Sequence, residues 1–207
     1  MNSLVFLLLL LIPQDAFTRF SYCRESTRGP SESQCIALTP QGAGEARLKA
    51  RGEQEIRIPM QLTATGRDKF IALLTATNYI ADGDKYESTK KVADLGMKRL
   101  VLEMTSGRRE ASFNFSTLRE VTDLGVFFDA LINQETILVD IDTALKFDRL
   151  SIPKRLEQIE NELRANRIGD PQRLVPLLEK IEADSRLVNF ARTRAARIKQ
   201  QLTAPPK

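Results

Sequence analysis

The 207-residue sequence contains no histidine and no tryptophan, and only two cysteines. Without histidine the chain lacks the commonest general base and the commonest metal ligand. A zinc site needs about four ligands, so two cysteines would have to be completed by carboxylates alone. No Cys-x-x-Cys is present, and that is the spacing redox sites use. A glycine-rich phosphate loop is also missing. The chain is therefore read with no cofactor, no metal and no catalytic residue.

Hydrophobic residues make up 42% of the chain and charged residues 28%, the balance of an ordinary globular protein with a core. The net charge of +4 is unevenly spread. From Arg186 to Lys207 there are six cations and no acid, so the remainder carries −2. The first residues, Met1 to Pro13, hold an apolar run from Leu4 to Ile12. That run suits the apolar region of a signal peptide and is too short to cross a bilayer of about 30 Å. Its n-region is atypical in having no Lys or Arg, and Ala16 is the one small residue near a cleavage point. The expectation is a signal peptide over 1–16 and export to the periplasm or the exterior, with no membrane span after its removal.

After this leader, Phe17–Glu25 and Gln34–Thr39 read as strands around a turn at Arg28-Gly29-Pro30. Cys23 and Cys35 are symmetrical about Gly29, so a hairpin turning there sets them opposite one another. In an oxidising compartment this favours a disulfide over two buried thiols, with a stabilisation of roughly 3 kcal/mol from closing about a dozen residues. A third strand spans Glu45–Ala50. Ile56, Ile58, Met60 and Leu62 then alternate with polar residues as a half-buried strand, and Pro59 places it at a sheet edge.

Thr65-Gly66-Arg67-Asp68 resembles a helix N-cap, followed by Phe70, Leu73, Leu74 and Thr77 at helical spacing. A hairpin from Leu100 to Phe115 comes next. Thr117-Leu118-Arg119-Glu120 reads as a capping box before Leu118, Val121, Leu124, Phe128 and Leu131. Beyond Gln134 the strand signals stop. Asp170-Pro171 is a helix-start pair, an acidic cap before a first-turn proline, and Ser185 is a candidate cap for a last helix. The fold class predicted is α+β: an antiparallel sheet with helices on one face over 17–132, a connecting helix over 133–150, and an all-helical C-terminal region over 151–207.

Other candidate chemistry is sparse. Ser88-Thr89-Lys90-Lys91 and Ser151-Ile152-Pro153-Lys154 match Ser-x-x-Lys without its companion motifs, so Ser151 reads as a helix cap and Ser88 as loop. Asp82, Asp84 and Glu87 share a loop that lacks the glycine and glutamate of an EF-hand. Asp140 and Asp142 stand two apart on a helix and point to different faces. Arg186, Phe190, Arg194 and Arg197 form a second stripe on the last helix, a candidate patch for an anionic partner by charge and cation–π contact. The alternative is that Phe190 packs under the preceding helix while the arginines pair with Glu179, Glu182 and Asp184.

The order strand, helix, hairpin, helix from Ile56 to Ile132 resembles small exported metalloprotease inhibitors of the emfourin type. The corresponding stretches are Thr65-Gly66-Arg67 to Leu74, and Val92-Ala93-Asp94 leading into Leu100-Val101-Leu102. The resemblance covers about the middle third and implies inhibition of a secreted protease through a sheet edge or loop, with the Pro59 strand or Asp82–Glu87 in that role. Taken whole, the chain resembles exported bacterial proteins of a kind for which the likeness implies no activity. The reading that follows is a non-enzymatic interaction protein of the cell envelope, with another protein rather than nucleic acid as partner. A protease inhibitor and a carboxylate-dependent hydrolase are the alternatives.

Intact mass measured on unreduced protein from the native compartment is expected to fall two hydrogens below the reduced value, and also to fix any cleavage point. Two free thiols would sink the bridge.

Overall fold

The first strand, β1 (Phe17–Glu25), sits near the centre of a six-stranded sheet because both of its neighbours arrive by antiparallel pairing. The computed structural model describes residues 17–26, 28–90, 92–93 and 95–204; the expected signal peptide, 1–16, and the tail Pro205-Pro206-Lys207 lie outside them. The other strands are β2 (Ser31–Leu38), β3 (Ala43–Ala50), β4 (Ile56–Gln61), β5 (Met97–Met104) and β6 (Gly107–Phe113), in spatial order β4-β3-β2-β1-β5-β6. Helices α1 (Ala64–Ala76) and α2 (Arg119–Phe147) lie on one face. Then follow α3 (Ile152–Arg164), α4 (Val175–Ala183) and α5 (Asn189–Thr203). The fold is α+β with a helical C-terminal region, as the pattern of periodicities predicts.

Strand alternation sorts the sheet into two faces. Phe20, Tyr22, Ile36, Leu38, Leu100 and Leu102 point to the helices and are buried. Phe20, Tyr22, Phe70 and Phe128 meet there with ring centroids 5.1–5.7 Å apart, in edge, tilted and stacked arrangements that suit the ring quadrupoles. On the opposite face Cys23 stands directly across from Cys35 and the two are bonded, Cα to Cα 4.1 Å. The bridge is thus a clamp on the uncovered face. Its register row runs Arg99, Cys23, Cys35, Arg47, Arg57 across five strands.

Both sheet edges follow from local chemistry. Pro59 stands opposite Glu45 on β4, and β4 has one strand neighbour among the described residues, so the edge placement holds. The β6 edge is covered by 78–88. Arg109 donates to the carbonyls of Asn78 and Tyr79, Ser88 N–H donates to the Phe115 carbonyl, and Gly83 lies so close to Glu110 and Ala111 that a Cβ would collide.

Helix starts depart from the sequence reading. Thr63, and not Thr65, caps α1: its extended ψ of 167° aims Oγ1 at the Gly66 N–H, 3.2 Å away. At α2 the expected Thr117 box is replaced by Leu118 at the cap, with Ser116 Oγ accepting from Leu118 N–H. The last helix begins after Val188, so Ser185 is not its cap. Ser151 precedes α3, but its hydroxyl donates to the Asp148 carbonyl and does not cap.

The largest departure concerns Asp170. Its position before Pro171 suits an N-cap, yet it makes no cap bond to its own turn. Instead its carboxylate accepts from Thr63 N–H and Thr63 Oγ1, both at 2.7 Å, at the mouth of α1. Its backbone exchanges two hydrogen bonds with the Gln134 side chain, and Asp170 is 2% exposed. Gly66 leaves the space that this carboxylate occupies, since a Cβ there would strike it. Next to the latch, Arg173 pairs with Glu135, which is 1% exposed and whose Oε2 has no hydrogen-bond partner.

Helix α2 is continuous through the expected boundary at 132/133. Val121 to Ile132 belong to the sheet's core, and Ile137 to Leu145 to a second core with α3, α4 and α5. At 29 residues it is about 44 Å long, so one rod serves both cores.

Replacing Asp170 with Ala is expected to lower unfolding free energy by about 3 kcal/mol, from two charge-assisted hydrogen bonds lost at a buried site. Arg173→Met is expected to cost about 3–5 kcal/mol by stranding the Glu135 carboxylate. Urea midpoints of both variants check these values.

Candidate functional site

On its three central strands the inner sheet face turns polar, between Phe113 on β6 and Leu48 on β3. Lys98, Arg24 and Gln34 occupy one register row across β5, β1 and β2, one step beyond Leu100, Tyr22 and Ile36. Over this row lies the middle of α2, which contributes Asp129. Tyr22 Oη donates to Asp129 Oδ1 at 2.9 Å, and Arg24 reaches the same oxygen at 3.4 Å while its other nitrogen donates to Gln34 Oε1 at 2.5 Å. The loop between α3 and α4 closes the third side. There Arg167 forms a bidentate pair with Glu162, and Asn133 donates to Glu162 and to the Arg167 carbonyl.

These segments enclose a cleft of about 450 Å³. Gln34, Asn133 and Asn166 bring amides to its wall, Val126, Ala130 and Ile132 bring apolar surface, and Arg24, Asp129 and Arg167 bring charge. It lies at the seam of the two halves, where ligand sites are commonly found. Its electrostatics follow from burial. Burial, then the Asp129 charge, drives the Tyr22 phenol far above its ordinary 10.0, so it stays a donor. Burial pulls the Lys98 ammonium below its ordinary value, with Asp129 opposing. Lys98 is held by the Asn114 carbonyl at 3.1 Å and lies 6.0 Å from the Phe113 ring centroid. Asp129 is thereby a fixed acceptor, engaged by a phenol and a guanidinium.

None of these residues stood out in the sequence as a site. The one available signal was polar residues, Arg24, Gln34 and Lys98, at inward-facing strand positions. Of the residues that did stand out, Cys23 and Cys35 form the clamp. Arg186 pairs with Asp184, Arg197 with Glu160 at 2.5 Å, and Arg194 lies near Glu157 and Glu160 while donating to the Pro153 carbonyl at 2.9 Å. The guanidinium of Arg194 sits over Phe190, 4.9 Å from the ring centroid. Phe190 itself is 61% exposed and does not pack under the preceding helix. The Asp82–Glu87 loop contains a single 3₁₀ turn, with Lys85 on Asp82 at 2.5 Å and Tyr86 buried. Among the described residues no group of three or more His, Cys, Asp or Glu is placed to hold a metal ion, and no helix is long and apolar enough to cross a membrane.

Comparison with protein-family models and with curated proteins finds no match.

The raised Tyr22 value fixes the sign of an alkaline effect. The unfolded chain gives up this proton near its ordinary value while the folded chain retains it. The stability Tyr22 contributes is therefore present below about pH 10 and lost as the pH rises past that value. Tyr22→Phe is expected to flatten the alkaline limb of a urea-midpoint-against-pH curve. An unchanged limb would contradict the assignment.

Proposed function

We infer that the chain is a non-enzymatic binding protein of the bacterial cell envelope or exterior, taking an extended peptide segment of a partner in the cleft beneath α2. The observation that carries this reading is the commitment of the cleft's charges. Asp129 is held by Tyr22 and Arg24, and Arg167 by Glu162, so the ionic groups scaffold the walls rather than wait for a proton. What faces the opening is amide and apolar surface: Asn166, together with the Gln34 Nε2 and Asn133 Oδ1 that the bonds to Arg24, Glu162 and Arg167 do not use, suits peptide N–H and C=O groups, and Val126, 57% exposed, suits a side chain. The Cys23–Cys35 bridge supports an oxidising compartment.

A second reading, inhibition of a secreted protease by strand addition, rests on β4. Its edge is uncovered among the described residues and carries Ile56 at 47% exposure, whereas the Asp82–Glu87 loop is occupied in covering β6. The hydrolase alternative draws less support. Glu25 and Glu32, two acids that line one cavity, are not buried, and Glu32 is paired with Lys49 at 2.7 Å.

Panning a random peptide library on the full chain tests the first reading. Selected peptides are expected to lose about tenfold or more in affinity against Val126→Arg, which fills the cleft with an unwelcome charge. Peptides indifferent to Val126→Arg but lost with Ile56→Lys would move the site to β4. Peptides released as cleaved products would make the protein an enzyme.

A further inference from the structure

Among the described residues, the three most exposed large apolar side chains lie at the end of the helical region. Leu150 is 87% exposed, Phe147 84% and Phe190 61%, with Val188 at 52%. Phe147 ends α2, Leu150 lies in the 3₁₀ turn Arg149–Ser151, and Val188 and Phe190 lead into α5. One contact ties these turns together: Arg194 bridges the Phe190 ring and the Pro153 carbonyl. Hydrogen bonds from Arg186, with a smaller contribution from the Arg149 charge, hold the Asp184 carboxyl down at about 2.

Segments 146–154 and 184–194 contain six cations and two acids, and Asp142, Glu157 and Glu160 pack against them, so the unpaired positive charge of the tip is local. Lys146 is engaged by Asp142, Arg186 by Asp184, and Arg194 by Glu157 and Glu160. Arg149 and Lys154, both exposed and flanking Leu150, are in no ion pair among the described residues.

We propose that this tip docks on a bilayer surface bearing anionic phospholipid headgroups, with Phe147 and Leu150 inserted to the acyl boundary and Arg149 and Lys154 at the headgroups. Side chains exposed beyond four-fifths protrude. A protein partner would need a matching pocket for each, whereas a fluid bilayer needs none. Apolar insertion and attraction of cations to anionic lipid act together in such binding. The length of α2 holds the tip away from the sheet and the cleft, so contact with a membrane leaves both open. This inference is independent of the peptide reading.

The chain has no tryptophan, so Phe147→Trp in the full-length protein places one reporter at the tip and Val126→Trp one at the cleft. On adding phosphatidylglycerol-containing vesicles, the Phe147→Trp emission is expected to shift to the blue and to be quenched by brominated acyl chains, while Val126→Trp stays unchanged. Neutralising Arg149 and Lys154 to Gln is expected to weaken the response roughly fivefold per cation. Leu150→Ala, at an exposed position that leaves the core intact, is expected to weaken it about tenfold. An unshifted Phe147→Trp spectrum overturns the proposal, even if the protein sediments with vesicles through another segment. An equal shift with pure phosphatidylcholine overturns the role given to the cations. A vesicle-independent shift that tracks dimer formation assigns the tip to a second copy of the chain instead.

Discussion

The Asp170 carboxylate at the mouth of α1 is the contact on which the arrangement of the two halves depends. It closes the first turn of a helix that belongs to the sheet, using a side chain that belongs to the helical region. A helix N-terminus exposes unpaired N–H groups and a partial positive charge, and a buried carboxylate answers both. The Gln134 side chain, which grips the Asp170 backbone, and the Arg173–Glu135 pair extend the contact along α2. With Gly66 and Gly169 allowing close approach, the seam becomes a fitted joint.

The cleft is a consequence of that joint. The loop carrying Asn166 and Arg167 leads directly to Asp170, so the latch that seats Asp170 also brings this loop against α2 and the polar end of the sheet. One wall therefore comes from strands, one from the long helix and one from the helical region. Within it, burial keeps Tyr22 protonated and gives Asp129 a permanent donor. The same geometry that makes the site rigid makes it a poor proton shuttle, because its acid already has partners.

Much of the architecture was legible one element at a time. Alternation over Ile58, Met60 and Leu62 and the helical stripe through Leu187, Ala191, Ala195 and Ile198 are local patterns, and each is set by which face must leave water. The symmetry of the cysteines about Gly29 predicted their register because a hairpin fixes pairing by counting. Caps were less readable. Thr63, Thr65 and Thr117 are all plausible cap residues, and the choice among them was made by what lies beyond the helix end. Beyond the polar Arg24, Gln34 and Lys98 at inward-facing strand positions, the cleft left no mark on the sequence, since Tyr22, Asp129 and Arg167 are far apart in the chain and each resembles an ordinary surface or core residue.

By itself the sequence determined the elements, the disulfide register, the α+β class and the absence of histidine chemistry, because these depend on residue type and on spacing within a single element. Tertiary structure alone decided that Asp170 holds the cap residue of a helix more than a hundred residues upstream of it, that α2 runs unbroken through two cores, and that Arg194 and Arg197 of α5 lie against Glu157 and Glu160 while Phe147, Leu150 and Phe190 stand in solvent. The physical reason is common to all three. A carboxylate, a helix end or an apolar side chain takes its role from the partner that reaches it, and those partners come from distant parts of the chain.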